Sequence, residues 1–244
     1  MMMLQKMENV SPVRRLEFAE THIKQIQERD DAYLETIILY METGDYKKAE
    51  ILLENKNFHI YEGGEGKLTK NHRWLYILEA IRLCETTHYK AALKKMSAAL
   101  IYPKNYGESE SIYKQNSNVH YIKGCILEKL NRQKDANAEF QLAENEKEIL
   151  GENMFYVARC LGKTGDHERA LTLYQQLIED GRDKLKNQDL YGYFGVGLEN
   201  PLPFELNIVR RNKINGLSEC LLGYYGADML KEYQEVRREL SQLD

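Results

Sequence analysis

The chain has 244 residues, 43% of them hydrophobic and 30% charged, with a formal net charge of -4. That balance is ordinary for a soluble protein and sets up no global positive field that would draw it to nucleic acid or anionic lipid. The four cysteines, at 84, 125, 160 and 220, include no C-x-x-C pair, so they read as reduced thiols of a reducing compartment, the cytoplasm, not as zinc ligands or disulfides.

The first residues, Met1-Met2-Met3-Leu4-Gln5-Lys6, turn polar at once and make no signal peptide. No apolar run reaches the roughly 18 residues of a membrane span. Ser11-Pro12 is a helix start, and Leu16, Ala19, Ile23 and Ile26 then recur at helical spacing. One amphipathic helix is predicted from 13 to about 29, so that residues 1–30 cap the first hairpin. Helix pairs are then predicted at 31–42 with 46–54, 72–85 with 89–100, 119–130 with 134–144, and 152–163 with 167–179.

These four pairs share a signature. Gly44-Asp45-Tyr46-Lys47-Lys48-Ala49, His88-Tyr89-Lys90-Ala91-Ala92, Asn131-Arg132-Gln133-Lys134-Asp135-Ala136 and Gly165-Asp166-His167-Glu168-Arg169-Ala170 align on their last alanine. Four residues on stand Leu53, Met96, Phe140 and Tyr174; twelve residues back stand Ile37, Ala80, Gly124 and Ala158. Small residues at fixed offsets let two antiparallel helices approach, with one large side chain locked between them. That is the tetratricopeptide pattern. It predicts an all-α right-handed superhelix of about five hairpins, with Ala92, Gly124, Ala136 and Ala170 buried at helix contacts. The fifth pair, roughly 205–222 with 227–240, lacks the clean signature, as terminal repeats often do.

The interval between aligned alanines is 43 from Ala49 to Ala92, 44 from Ala92 to Ala136 and 34 from Ala136 to Ala170. The last is the standard period. The surplus falls in insertions at 57–71 and 103–117, and a third long connection runs over 181–203. Residues 31–180 thus hold four hairpins with two loop insertions, and 181–244 an aromatic and glycine-rich loop with an atypical hairpin. All three loops combine glycine with tyrosine and phenylalanine, which argues for order.

Glu28-Arg29-Asp30-Asp31 with Glu35, then Phe58-His59-Ile60-Tyr61-Glu62-Gly63-Gly64-Glu65-Gly66, Tyr102-Pro103-Lys104-Asn105-Tyr106-Gly107-Glu108, Tyr193-Phe194-Gly195 and the Pro201-Leu202-Pro203-Phe204 run carry a resemblance. Together they resemble the C-terminal tetratricopeptide region of large bacterial proteins of presumed carbohydrate metabolism, in which a mutarotase-like β-supersandwich precedes the helices. The resemblance extends from about Arg29 to Leu230. The β domain has no counterpart in this sequence, so a sugar-processing activity does not transfer with it.

The carboxylates Asp31, Glu35, Glu62, Glu65 and Glu108 are the candidates for acid–base work, which needs two of them about 5–10 Å apart. The competing reading is that Asp30 or Asp31 caps a helix and the glutamates hold loop backbone or face water. No His-x-x-x-His, phosphate-loop or nucleophile-elbow motif occurs, so no catalytic residue, metal or cofactor is assigned. Equivalent positions of a solenoid share one edge, so the three loops are expected to emerge together. Tyr61, Glu62, Glu65, Tyr106, Glu108, Tyr193 and Phe194 are then expected to border one binding surface. The expected function is a non-enzymatic module binding a protein or peptide partner through its concave face and these loops. The alternative is a saccharide-binding accessory subunit whose catalytic β domain lies on another chain.

Overall fold

The computed structural model describes residues 1–59, 64–108, 115–146, 149–187, 193–194, 198–199 and 208–243, with the backbone alone at 3, 7, 193–194, 198–199 and 208. Three short helices come first: α1 (Met2–Met7), α2 (Pro12–Thr21) and α3 (Ile23–Ile26). Five helix pairs follow. They are α4 (Asp30–Glu42) with α5 (Tyr46–Glu54), α6 (Lys67–Glu85) with α7 (Tyr89–Ala98), α8 (Ser117–Lys129) with α9 (Gln133–Glu144), α10 (Glu152–Thr164) with α11 (His167–Lys186), and α12 (Ile208–Gly226) with α13 (Leu230–Leu240).

Every pair turns by the same device. One residue per turn is left-handed: Gly44, Thr87, Asn131, Gly165 and Asp228, with φ of 81°, 61°, 56°, 101° and 58°. The next amide donates to the carbonyl five residues back: Asp45 to Tyr40, His88 to Leu83, Arg132 to Leu127, Asp166 to Leu161 and Met229 to Tyr224, all at 2.8–2.9 Å. This closure satisfies the carbonyls that a helix C-terminus otherwise leaves open. The fifth pair is therefore a hairpin of the same kind. It escapes the signature because the residue five beyond its turn is Tyr233, where the others have alanine.

The aligned small residues sit where the offsets predict. Ala49, Ala92 and Ala136 are fully buried, and Ala170 is 5% exposed. Their large partners Leu53, Met96, Phe140 and Tyr174 are buried as well. At Gly124 a Cβ would fall 2.2 Å from Phe140 Cε1, so the α8–α9 contact needs glycine there.

Four elements differ from the sequence expectation. The N-terminal helix is not continuous. Thr21 Oγ1 bonds the Glu17 carbonyl at 2.8 Å and His22 Nδ1 bonds the Phe18 carbonyl at 2.9 Å, and such side-chain competition breaks the ladder between α2 and α3. Helix α6 starts at Lys67 instead of residue 72, and α11 runs on to Lys186. The third connection contains a small two-stranded sheet, β1 (Tyr193–Phe194) with β2 (Leu198–Glu199).

The chain divides into two compact units. One comprises residues 1–112 and 194–205, the other 113–193 and 206–244. The first packs its core around Ile37, Leu39, Leu53, Leu75 and Tyr106. The second buries Val157, Ala158, Leu161 and Leu177 in one cluster, and Ile178, Cys220 and Tyr224 in another. Among the described residues no helix is long and apolar enough to cross a membrane.

Candidate functional site

In the first unit the first two loop insertions meet. The Phe58 amide donates to the Asn105 carbonyl at 2.8 Å, and Asn105 Nδ2 donates to the carbonyls of Leu53 and Lys56 at 3.0 and 2.8 Å. Asn105 thus closes the C-terminus of α5. Glu108 closes the start of α6: its carboxylate accepts from the amides of Gly66 at 2.9 Å and Thr69 at 3.0 Å. This is an N-cap supplied from about forty residues downstream, with a negative charge at the positive end of the helix.

Tyr106 is 2% exposed. Its ring meets Phe58 edge-on at 5.9 Å, and Phe58 in turn meets Tyr33 at 6.0 Å. The ring is therefore sealed inside and presents no open face. Glu65 is exposed. Tyr61 and Glu62 lie outside the described residues, and Tyr193 and Phe194 are described by backbone alone, in β1. The space left beside Tyr106 and Glu108 is about 20 Å³, room for one water and no ligand.

Tyr106 also fixes a buried histidine. The Tyr106 hydroxyl is 2.8 Å from His72 Nδ1, and His72 Nε2 is 3.2 Å from the Ala98 carbonyl. A carbonyl only accepts, so Nε2 carries the proton and Nδ1 accepts from the tyrosine. Burial pushes His72 from its ordinary 6.5 down to about 4. In the unfolded chain it protonates near pH 6.5, so its contribution is complete above that value and is lost as the pH falls towards about 4. The loss approaches roughly 2–3 kcal/mol. Urea midpoints between pH 7 and 4.5 should fall steeply for the parent chain and less for His72→Gln. Equal slopes for the two would show that another group carries the acid sensitivity.

The other candidate carboxylates are engaged. Asp31 is paired with Arg29 at 2.7 Å, and Glu35 with Lys6 at 3.0 Å and with Arg15. Burial opposes the charge on Asp30, but Lys56 at 2.7 Å and the His59 amide at 2.6 Å outweigh it and hold the carboxyl below its usual range. No group of three or more His, Cys, Asp or Glu side chains among the described residues has metal-holding geometry.

Two other features lie away from the loops. The first is a groove of about 480 Å³ between α1, α2, α3, α4 and the start of α6. Met2, Phe18, Ile26, Leu34 and Ile38 supply its apolar lining, and Arg29, Asp31, Glu35 and Lys67 its charged groups. The second lies in the other unit. Tyr121 of α8, Tyr156 and Phe155 of α10, Tyr225 of α12 and Tyr233 of α13 follow one another at ring spacings of 6.0, 5.4, 6.2 and 5.5 Å. Arg159 lies over the Tyr121 ring at 5.8 Å, and its Nε donates to the Tyr121 hydroxyl at 3.1 Å. Sequence reasoning missed both surfaces. The tyrosines follow no repeat offset, and the one legible signal was Tyr156, Arg159 and Lys163 on one face of α10.

A solved structure described as a MamA RS-1 ArsTM double mutant is similar at 15% identity, covering 77% of this chain and 93% of that one, with a TM-score of 0.40. A tetratricopeptide-repeat family model matches residues 152–180, which are α10 and the first two thirds of α11. The same turn closes all five hairpins. The chain therefore has an all-α, tetratricopeptide-type helical-repeat fold.

Proposed function

We propose that this chain is a non-enzymatic interaction module whose partner is a protein or peptide. Tetratricopeptide repeats stack into extended surfaces that generally serve protein binding and carry no chemistry of their own. The groove of about 480 Å³ carries the reading: it joins an apolar floor to charges of both signs, the anatomy of a site that buries an apolar anchor inside a polar rim. In this reading Glu65, Tyr61, Glu62, Tyr193 and Phe194 are further contact residues for the partner. Tyr106, through His72, and Glu108 brace α6, whose first residue Lys67 lines the groove. A photoreactive side chain placed at Ile38, in the groove, should crosslink to a partner protein in cells. The same group at Ile51, an exposed position of α5, should not. Equal crosslinking from both positions, or none from either, would remove the groove as the site.

A further inference from the structure

Arg159 is half-buried, and among the described residues no carboxylate pairs with it; its Nε donates to the Tyr121 hydroxyl. Arg182 is likewise held by a tyrosine hydroxyl, that of Tyr224, but is exposed; the lysines near Arg159 are paired. Lys163, one turn further along α10, is paired with Glu128 at 2.6 Å. Lys123 is paired with Glu139 at 2.6 Å. Glu152, on the same helix, stands seven residues away, roughly 10 Å along the axis, and no ion pair joins the two. A guanidinium partly removed from water, with no carboxylate on it among the described residues, is suited to a charge-assisted pair with an incoming anion.

Its surroundings define the ligand further. Tyr121 and Tyr156 flank it half-buried, and Tyr225 is 49% exposed. The row crosses α8, α10 and α12, the first helices of three successive hairpins. Rigid rings with polar edges bind apolar side chains and peptide backbone at low entropic cost. A single cation without a carboxylate suits a singly charged one. A phosphate dianion calls for more than one guanidinium or ammonium, and the net charge of -4 disfavours a polyanion.

We propose that the tyrosine-lined face of α8, α10 and α12 docks an acidic linear segment of a protein partner, with an Asp or Glu carboxylate of that segment on Arg159 and a neighbouring apolar residue against Tyr156 and Tyr225. This deepens the interaction-module reading and rests on it.

The test is a displayed random dodecapeptide library selected on the full chain. Selected sequences should carry Asp or Glu beside an aromatic or aliphatic residue. A synthetic peptide of the selected sequence should lose about tenfold or more in affinity for Arg159→Met, and also lose affinity for Tyr225→Ala. Changing its acidic residue to the amide should weaken binding to the parent chain but not weaken it further on Arg159→Met, the signature of a direct pair. Arg159→Lys keeps the charge and guards against misfolding, which helical circular dichroism and melting check for each variant; it should bind between the two. Selected peptides without an acidic residue, unchanged affinity for Arg159→Met, or a preference for phosphorylated over acidic peptides would each overturn the assignment. Selection of peptides whose binding is lost on Ile38→Arg, and not on Arg159→Met, would overturn this inference and leave the interaction reading standing. Failure to select any peptide would count against both.

Discussion

Arg15→Met is expected to destabilise the first unit by about 3–5 kcal/mol. The Arg15 side chain is 6% exposed and that of Glu35 11%, and Arg15 Nη2 contacts Glu35 Oε1 directly. Glu42 lies 4.0 Å from Arg15 Nη1. Burial pushes the Glu42 carboxyl above its usual range, and Arg15 is the first group opposing that. Removing the guanidinium leaves two carboxylates close together with, among the described residues, Lys6, 3.0 Å from Glu35, to hold them. The double variant Arg15→Met/Glu35→Leu should regain most of the loss, because a well-packed apolar pair replaces a buried ionic one at little cost while a buried unpaired charge is severe. Trp74, the chain's one tryptophan, lies in the first unit, so its fluorescence in urea reports that transition. A double variant as unstable as the single one would place the cost in lost packing of the arginine stem instead of in stranded charge.

Legibility in the sequence depends on which interactions are local. The offsets from Ala49, Ala92, Ala136 and Ala170 placed the core face of four hairpins, because a helix of fixed pitch puts residues four apart on one stripe. The left-handed turns at Gly44 and Gly165 fall on the glycines that open two of the signatures. Thr87, Asn131 and Asp228 make the same turn without glycine, so the geometry recurs where the composition does not. The true start of α6 was not legible. Its cap is Glu108, and nothing near Lys67 announces it. Nor was α1: it is held by Met2, 6% exposed, and by Lys6 on Glu35, contacts made across some thirty residues. Tyr106 shows the converse error. Aromatic residues beside glycine in a loop suggested an exposed recognition ring, but a loop that must seal the gap between hairpins uses the same residues inward. The loop residues that carry the resemblance to carbohydrate-associated proteins fall partly at 60–63 and 195–204, outside the described residues except for 198–199.

A backbone-to-backbone helix contact sets the other large effect. Gly181→Val is expected to cost at least about 3 kcal/mol, the upper end of overpacking. Helices α11 and α12 cross with glycine against glycine. A Cβ at Gly181 would stand 2.6 Å from the Gly216 carbonyl oxygen and 2.9 Å from the Cys220 amide nitrogen, and one at Gly216 would stand 2.8 Å from the Gly181 carbonyl oxygen. These are backbone atoms, so no rotamer change relieves the overlap and the helices must separate. Separation would also disturb the pairs that span them: Asn212 Nδ2 on the Lys184 carbonyl at 2.6 Å and Arg182 on the Tyr224 hydroxyl at 2.9 Å. Gly162 supplies the control. It lies inside α10, where an added Cβ meets nothing within 4 Å. Gly162→Ala should therefore raise stability by about 0.5–1 kcal/mol, because alanine loses less backbone entropy on entering a helix. Thermal melting by circular dichroism at 222 nm reads both. Opposite shifts identify backbone contact at Gly181 as the cause; two small shifts of the same sign would mean that α11 and α12 accommodate a side chain at their crossing.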